Sequence, residues 1–230
     1  MADAGRVREL DRTGLSPMRR ITLRRLREAQ QEAVPVTVQS EADAEALVAL
    51  RARPGGIGLT AVLAGLLART LAAHPDVNCG LDGEELVRYA DVNLGVAVAL
   101  EDGNLSVPVV PRAQALAAEE LAAAIADRAA RARAGALGLD DVRGGTFTLS
   151  NVGMLLPAVW GTPLIPLGQA GVLLTGGPVA RPVVRDGAVV PGHVLPLSLT
   201  FDHRIVNGAP ALRFLRDLVA AVQQGAADAA

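Results

Sequence analysis

The stretch Leu197-Ser198-Leu199-Thr200-Phe201-Asp202-His203-Arg204-Ile205-Val206-Asn207-Gly208 is the most informative part of this 230-residue chain. It reads as a buried strand, a histidine directly at its end, and an Asn-Gly pair that is typical of a helix start. A histidine there can act as a general base, because the reference pKa of imidazole is about 6.5. The pattern fits equally a hydrogen-bonded structural histidine, with Asn207 as a helix cap and Asp202 as a turn or salt-bridge residue.

Composition limits the class of protein. Half of the residues are hydrophobic and 2% are aromatic, so the core must be mainly aliphatic. A net charge of −2 argues against nucleic-acid binding. The single cysteine, Cys79, excludes an internal disulfide and a multi-cysteine metal site. No apolar run approaches the roughly 20 residues that span a bilayer, and the first 15 residues lack an apolar signal segment. We therefore expect a cytoplasmic protein that binds neither membranes, metals nor nucleic acids.

Helical and strand-like patterns alternate along the chain. Ser16-Pro17 predicts the start of a helix over 18–31, and Thr60 can cap an apolar helix that ends near residue 73. Residues 92–100 are apolar enough to form one strand buried on both faces. Further strands are predicted at 34–38, 146–150, 172–175 and 193–201, with a hairpin over 179–190 and a last helix over 209–223. The fold class expected is α/β (an α+β sandwich), with a mixed sheet flanked by helices.

Residues 202–208 resemble the His-x-x-x-Asp-Gly signature of the acyltransferase component of 2-oxoacid dehydrogenase complexes, which chloramphenicol acetyltransferase shares. Other stretches resemble the same family in the family's order: 16–20, 92–98, 102–110, 144–153 and 195–199. The resemblance covers residues 16 to 222. It implies a chloramphenicol acetyltransferase-like, trimer-forming catalytic domain over 16–224, a flexible arm over 1–15 and a short tail over 225–230.

The resemblance also implies roles for particular residues. His203 matches the general base. Ser150 matches the serine that donates to the oxyanion of the tetrahedral intermediate, although a strand-end serine could simply cap its own turn. Asn207 stands where the signature has Asp, so it keeps size and hydrogen bonding without charge, and we expect it to organise the helix start. The expected substrate-binding residues are Asp202, Thr148 and Trp160, the last of which could equally well only pack.

Coenzyme A is the implied co-substrate, with acetyl-CoA as acyl donor. Transfer would be direct, because the chain has no Gly-x-Ser-x-Gly elbow for a nucleophilic serine. The family's active sites lie between the subunits of a homotrimer. The tail over 225–230 has no large apolar residue to join trimers into larger cores, which favours a free trimer.

Three acceptor hypotheses follow. About 15 residues precede the catalytic match and none of them resembles a lipoyl domain, so the sequence is equally that of a stand-alone enzyme or of one domain of a longer protein. The segment at 163–171 departs from the family's pattern, and the loop at 154–160 is more apolar than usual. These departures favour a stand-alone O-acetyltransferase acting on a small molecule, and the sequence looks similar to the type that acetylates a tetronate hydroxyl in antibiotic biosynthesis. The alternative is a dihydrolipoamide acyltransferase core of a 2-oxoacid dehydrogenase complex. The third hypothesis is a non-catalytic scaffold, which Asn207 keeps open although both His203 and Ser150 are present.

Overall fold

The computed structural model describes residues 9–52, 56–101 and 103–225. The arm predicted over 1–15 therefore lies partly outside the described residues, and the tail predicted over 225–230 almost wholly so. The helices within this range are α1 (Pro17–Glu32), α2 (Glu45–Arg51), α3 (Leu59–Ala72), α4 (Ala118–Arg133) and α5 (Gly208–Gln224). The strands are β1 (Pro35–Asp43), β2 (Cys79–Asp82), β3 (Glu85–Arg88), β4 (Leu94–Val96), β5 (Val98–Ala99), β6 (Leu105–Ser106), β7 (Val109–Val110), β8 (Phe147–Asn151), β9 (Gly171–Thr175), β10 (Val179–Arg185) and β11 (Ala188–Asp202).

The main sheet is mixed, as the sequence predicts. Its strand order is β1-β11-β9-β8-β4-β7, with β10 paired to β11. β8 is parallel to β4 and β9, whereas β1, β10 and β9 are antiparallel to β11. β11 is one strand of fifteen residues rather than the two strands predicted, because its first half pairs with β10 and its second half runs between β1 and β9.

Helices α3 and α5 cover one face of this sheet. Nine of the fourteen residues of α3 are buried, which fits the continuous apolar pattern of its sequence. Phe214 of α5 packs on Phe147 of β8, with ring centroids 6.0 Å apart. The rest of the core is mostly Leu, Val and Ala, as the composition predicts. No helix among the described residues combines the length and apolar character needed to cross a bilayer.

The other face is more polar. The Thr37 and Thr200 hydroxyls lie 2.8 Å apart, and Ser198 Oγ accepts a hydrogen bond from the Gly161 amide at 3.3 Å. Gly161 belongs to a long irregular segment, residues 152–170, which connects β8 to β9. At its start the backbone of Gly153 passes so close to Gly176 and Gly177 that any Cβ there would clash with them. This contact fixes the direction in which the chain leaves β8.

Two sequence predictions are wrong in detail. The strand predicted over 92–100 is broken into β4 and β5, and its partner is likewise split into β6 and β7 around Pro108. Proline lacks the N–H that a continuous ladder needs, although the Pro108 carbonyl still accepts from the Val96 amide at 2.9 Å. Thr60 does not cap α3, because the N-cap residue is Gly58.

Candidate active site

The end of β11 presents His203 on the surface of the chain. The His203 amide donates to the carbonyl of Val34 at 2.9 Å, and the backbone then turns sharply through hydrogen bonds from Ile205 and Val206 to the Asp202 carbonyl. The buried Phe201 ring lies beneath the imidazole, with centroids 5.7 Å apart. The imidazole is thus exposed, while the backbone that carries it is fixed on one side to the β1 segment and on the other to α5.

Asp202 is buried under the same turn. Its carboxylate accepts from the Val34 amide at 3.1 Å, from the Arg204 amide at 3.1 Å and from the Arg204 guanidinium at 2.6–3.1 Å. Burial alone would raise the pKa of Asp202, but the hydrogen bonds from Arg204 and Val34 outweigh it and hold that pKa below its usual range. All these partners belong to the protein itself, so the structure gives Asp202 a role inside the turn; substrate contact stays a prediction.

Ser150 lies at the end of β8 and is half-buried. None of the hydrogen bonds among the described residues uses its hydroxyl. The neighbouring Asn151 holds the turn instead, since its Oδ1 accepts from the Gly153 amide at 2.9 Å and its Nδ2 donates to Thr60 Oγ1 at 3.1 Å. Ser150 therefore does not cap its own turn, and its hydroxyl remains available to a ligand.

His203 and Ser150 lie towards opposite ends of the sheet within one chain. β9 shows this directly, because Phe201 pairs with its first residue, Gly171, whereas Ser150 pairs with Leu174. Three residues of strand separate these positions by about 10 Å, before the two residues from Phe201 to His203 are counted. Groups that share one reacting centre must approach it to about 3 Å. One chain therefore cannot bring these two side chains to the same reacting atom.

Asn207 occupies the N-cap position of α5. Its carbonyl accepts from the Ala211 amide at 3.2 Å, but its side chain makes no capping hydrogen bond and is exposed. Asn207 therefore stands at the helix start as the sequence predicts, but it acts there through its backbone and not through its side chain. Among the described residues, no hydrogen bond uses its side-chain amide.

The two remaining predicted substrate-binding residues differ in accessibility. Thr148 is 2% exposed and its hydroxyl donates to Gln169 Oε1 at 2.7 Å. Trp160 is half-buried in the segment 152–170. Both roles stay predictions, but Thr148 already has an internal partner. Sequence reasoning missed Gln169 and Val34, whose contributions depend on contacts distant in sequence.

The other reactive side chains of the chain do not compete with His203. His74 lies 3.0 Å from Asp217 and His193 lies 3.2 Å from Glu45, whereas His203 has no carboxylate within such reach among the described residues. Burial raises the pKa of the Cys79 thiol to about 11, which makes it a poor nucleophile at neutral pH. The described residues contain no group of three or more His, Cys, Asp or Glu side chains that could hold a metal ion.

Comparison with known proteins gives one consistent family. The model of the 2-oxoacid dehydrogenases acyltransferase catalytic domain matches residues 8–227. The chain is 39% identical to the dihydrolipoyllysine-residue acetyltransferase component of the pyruvate dehydrogenase complex of Mycobacterium bovis, over 93% of this chain and 41% of that protein. It is 36% identical to the probable dihydrolipoyllysine-residue succinyltransferase component of the mitochondrial 2-oxoglutarate dehydrogenase complex of Schizosaccharomyces pombe, over 91% of this chain and 49% of that protein. The chain thus spans about half the length of the curated relatives it matches.

Solved structures agree. The dihydrolipoamide acetyltransferase of Azotobacter vinelandii superposes with a TM-score of 0.89 at 29% identity, covering 97% of this chain and 95% of that one. A serine, a histidine and an asparagine have been studied for their roles in its catalytic mechanism, and its asparagine follows its histidine by four positions, as Asn207 follows His203. A chloramphenicol acetyltransferase has a TM-score of 0.56 at 16% identity over 86% of this chain and 92% of its own, a likeness of fold alone. The predicted fold class is therefore confirmed.

Proposed function

The chain belongs to the family of 2-oxoacid dehydrogenase acyltransferase catalytic domains, and on that premise we propose that it transfers an acyl group between coenzyme A and a thiol of dihydrolipoamide. We further propose that its active site forms between two subunits of a homotrimer, with His203 from one subunit and Ser150 from the next. The observation that carries this proposal is the placement of an exposed imidazole and a free hydroxyl at opposite ends of one sheet. Each is half of a site that a second copy of the chain can complete.

The chemistry follows from what these two groups can do. The neutral His203 imidazole accepts the thiol proton as the sulfur attacks the thioester carbonyl. Negative charge then develops on the carbonyl oxygen, and the Ser150 hydroxyl of the adjoining subunit donates a hydrogen bond to it. A donor of this kind is typically worth about 3–4 kcal/mol of transition-state stabilisation. The intermediate collapses, the other thiol leaves and takes the proton back from His203, and no acyl-enzyme forms.

The acceptor proposed here differs from the tetronate hydroxyl that the sequence favoured. Departures at 154–160 and 163–171 supported the hydroxyl, but the relatives that match along the chain are named for dihydrolipoyllysine residues. A thiol also suits this site, because a thiol gives up its proton to an imidazole more readily than an alcohol does. The relatives include both acetyl and succinyl transferases, so the acyl group is left to experiment.

The deciding experiment compares acceptors and donors directly. Purified protein is incubated with acetyl-CoA or succinyl-CoA and with dihydrolipoamide or a tetronate alcohol, and products are separated by liquid chromatography. We expect S-acyl dihydrolipoamide and free CoA, and a loss of about 10²–10⁴-fold in His203→Ala. Transfer only to the alcohol would support the first hypothesis from the sequence, a stand-alone O-acetyltransferase. Transfer to neither acceptor, with no binding of CoA, would leave the scaffold hypothesis.

A further inference from the structure

We propose that Asp202 and Arg204 form a clamp that positions the His203 imidazole, so that the two residues flanking the base act on catalysis without touching substrate. The inference rests on the proposed function in taking His203 as the base. It goes beyond that function because it gives a positioning role to the buried carboxylate of Asp202 and the half-exposed guanidinium of Arg204, neither of which takes part in the reaction itself.

The first observation is how the β1–β11 ladder ends. Asp202 stands opposite Pro35, which has no N–H to donate, so the regular pairing cannot continue there. The Val34 amide turns to Asp202 Oδ1 at 3.1 Å, while the Val34 carbonyl accepts from the His203 amide at 2.9 Å. One residue at the junction of α1 and β1 thus holds both the carboxylate of Asp202 and the backbone of His203.

The second observation is the set of hydrogen bonds by which Arg204 holds the Asp202 carboxylate. The Arg204 guanidinium contacts both carboxylate oxygens, through Nε at 3.1 and 3.0 Å and through Nη2 at 2.6 Å, and the Arg204 amide also donates to Oδ1 at 3.1 Å. Asp202 directly precedes His203 in the sequence, and Arg204 directly follows it. Joining their side chains fixes the backbone directions at the residue between them, and therefore the direction in which its imidazole leaves the chain.

The two members of the clamp differ in exposure. Asp202 is 2% exposed, whereas the Arg204 side chain is 42% exposed. A pocket beside them is lined by parts of α1, the β2–β3 hairpin and residues 165–169, and its charged lining residues are Glu32, Asp202 and Arg204. Burying a carboxylate carries a desolvation cost that a simple turn does not require. Holding a base in one orientation is a use that accounts for it.

The test removes each half of the clamp separately and follows the direction of the His203 imidazole. In the intact protein this ring lies 5.7 Å from the Phe201 ring, centroid to centroid, so nuclear Overhauser effects should connect their protons. We expect Asp202→Asn and Arg204→Gln each to weaken these effects, with His203→Gln used to assign the imidazole resonances. The double variant should weaken them little further, because losing one partner already opens the clamp. All three variants should lose kcat by about 10–100-fold with little change in the KM for CoA.

Arg88→Gln is the matched control, because it breaks an exposed arginine–aspartate pair of 2.8 Å far along the chain from His203. It should leave both the His203–Phe201 ring contact and kcat unchanged. If Asp202→Asn does not fold, Arg204→Gln alone must still weaken that contact and lower kcat. An unchanged ring contact, or full kcat, in both single variants would overturn the clamp. The resonance measurement needs no activity, so an inactive wild-type protein would sink the proposed function while a weakened ring contact in both variants still supported the clamp.

Discussion

Two inactive variants of this chain should restore activity when they share a trimer. Ser150→Ala keeps His203, and His203→Ala keeps Ser150. Within one chain the two positions are separated by about 10 Å of strand or more, so each working site must take its histidine and serine from different copies. In a random 1:1 mixture, about one quarter of the interfaces join an intact His203 to an intact Ser150.

The expected signal is well above background. Losing one oxyanion donor costs about 10²–10³ in rate, and losing a general base costs a similar factor. Each variant alone should therefore show about 1% of wild-type activity or less. In the doubly tagged trimers, one interface in three joins an intact His203 to an intact Ser150, so about one third of wild-type activity should return. The assay is CoA release after both variants, with different affinity tags, are unfolded and refolded together and the doubly tagged species is isolated.

The control mixture combines Ser150→Ala with the double variant Ser150→Ala/His203→Ala, which provides no intact serine. It should remain at background. If doubly tagged trimers of the two single variants also remain at background, the shared-site geometry is refuted.

Four further outcomes are expected. The pKa of Asp202 is held below its usual value of about 3.9. The stability contributed by its ionised carboxylate is therefore complete above that pH and is lost as the pH falls through the lower pKa of the folded state. Acid unfolding, followed by circular dichroism, should depend less steeply on pH in Asp202→Asn than in the wild-type protein. Asn207→Ala should cost less than the roughly 1 kcal/mol of a working N-cap in urea unfolding, because the side chain makes no capping bond. Thr148→Val should cost about 1–2 kcal/mol of unfolding free energy in urea, because it leaves Gln169 without its donor. Light scattering should give three chains of 23.7 kDa, about 71 kDa, and a 24-copy particle would contradict the free trimer.

The sequence predicted well those elements whose pattern is local. Ser16-Pro17 predicted the start of α1, where the Ser16 side chain accepts from the Arg19 amide at 3.2 Å. The hairpin predicted over 179–190 forms between β10 and the start of β11, with Gly187 at a φ of 79° that suits glycine. Both depend on residues within a few positions of each other, so the chain itself carries the information.

The predictions that were wrong concern elements whose form depends on residues distant in sequence. The apolar run at 92–100 looked continuous, but the strand breaks because Pro108 stands in the segment beside it. The candidate site shows the same limit. Local pattern alone allowed Ser150 to be a cap, and only the position of Thr60 beside Asn151 shows that another residue holds that turn. The opposite placement of His203 and Ser150 follows from strand order, which periodicity does not encode.

We expect the apolar segment beside Ser150 to influence the choice of acceptor, together with the readier proton loss of a thiol to His203. The loop at 154–160, whose sequence favoured a small hydroxyl acceptor, then favours dihydrolipoamide. The chain leaves β8 through Met154, Leu155 and Leu156, which are 95%, 82% and 56% exposed, and the close passage of Gly153 over Gly176 fixes their direction. In the proposed site, the subunit that brings Ser150 to its neighbour's His203 brings this apolar segment with it. Exposed side chains of that size gain about 1.5–3 kcal/mol each when fully buried. An acceptor with an aliphatic arm, such as dihydrolipoamide, can bury them, whereas a compact polar ring leaves them in water; replacing the segment's leucines with serine should therefore raise the KM for the first far more than for the second.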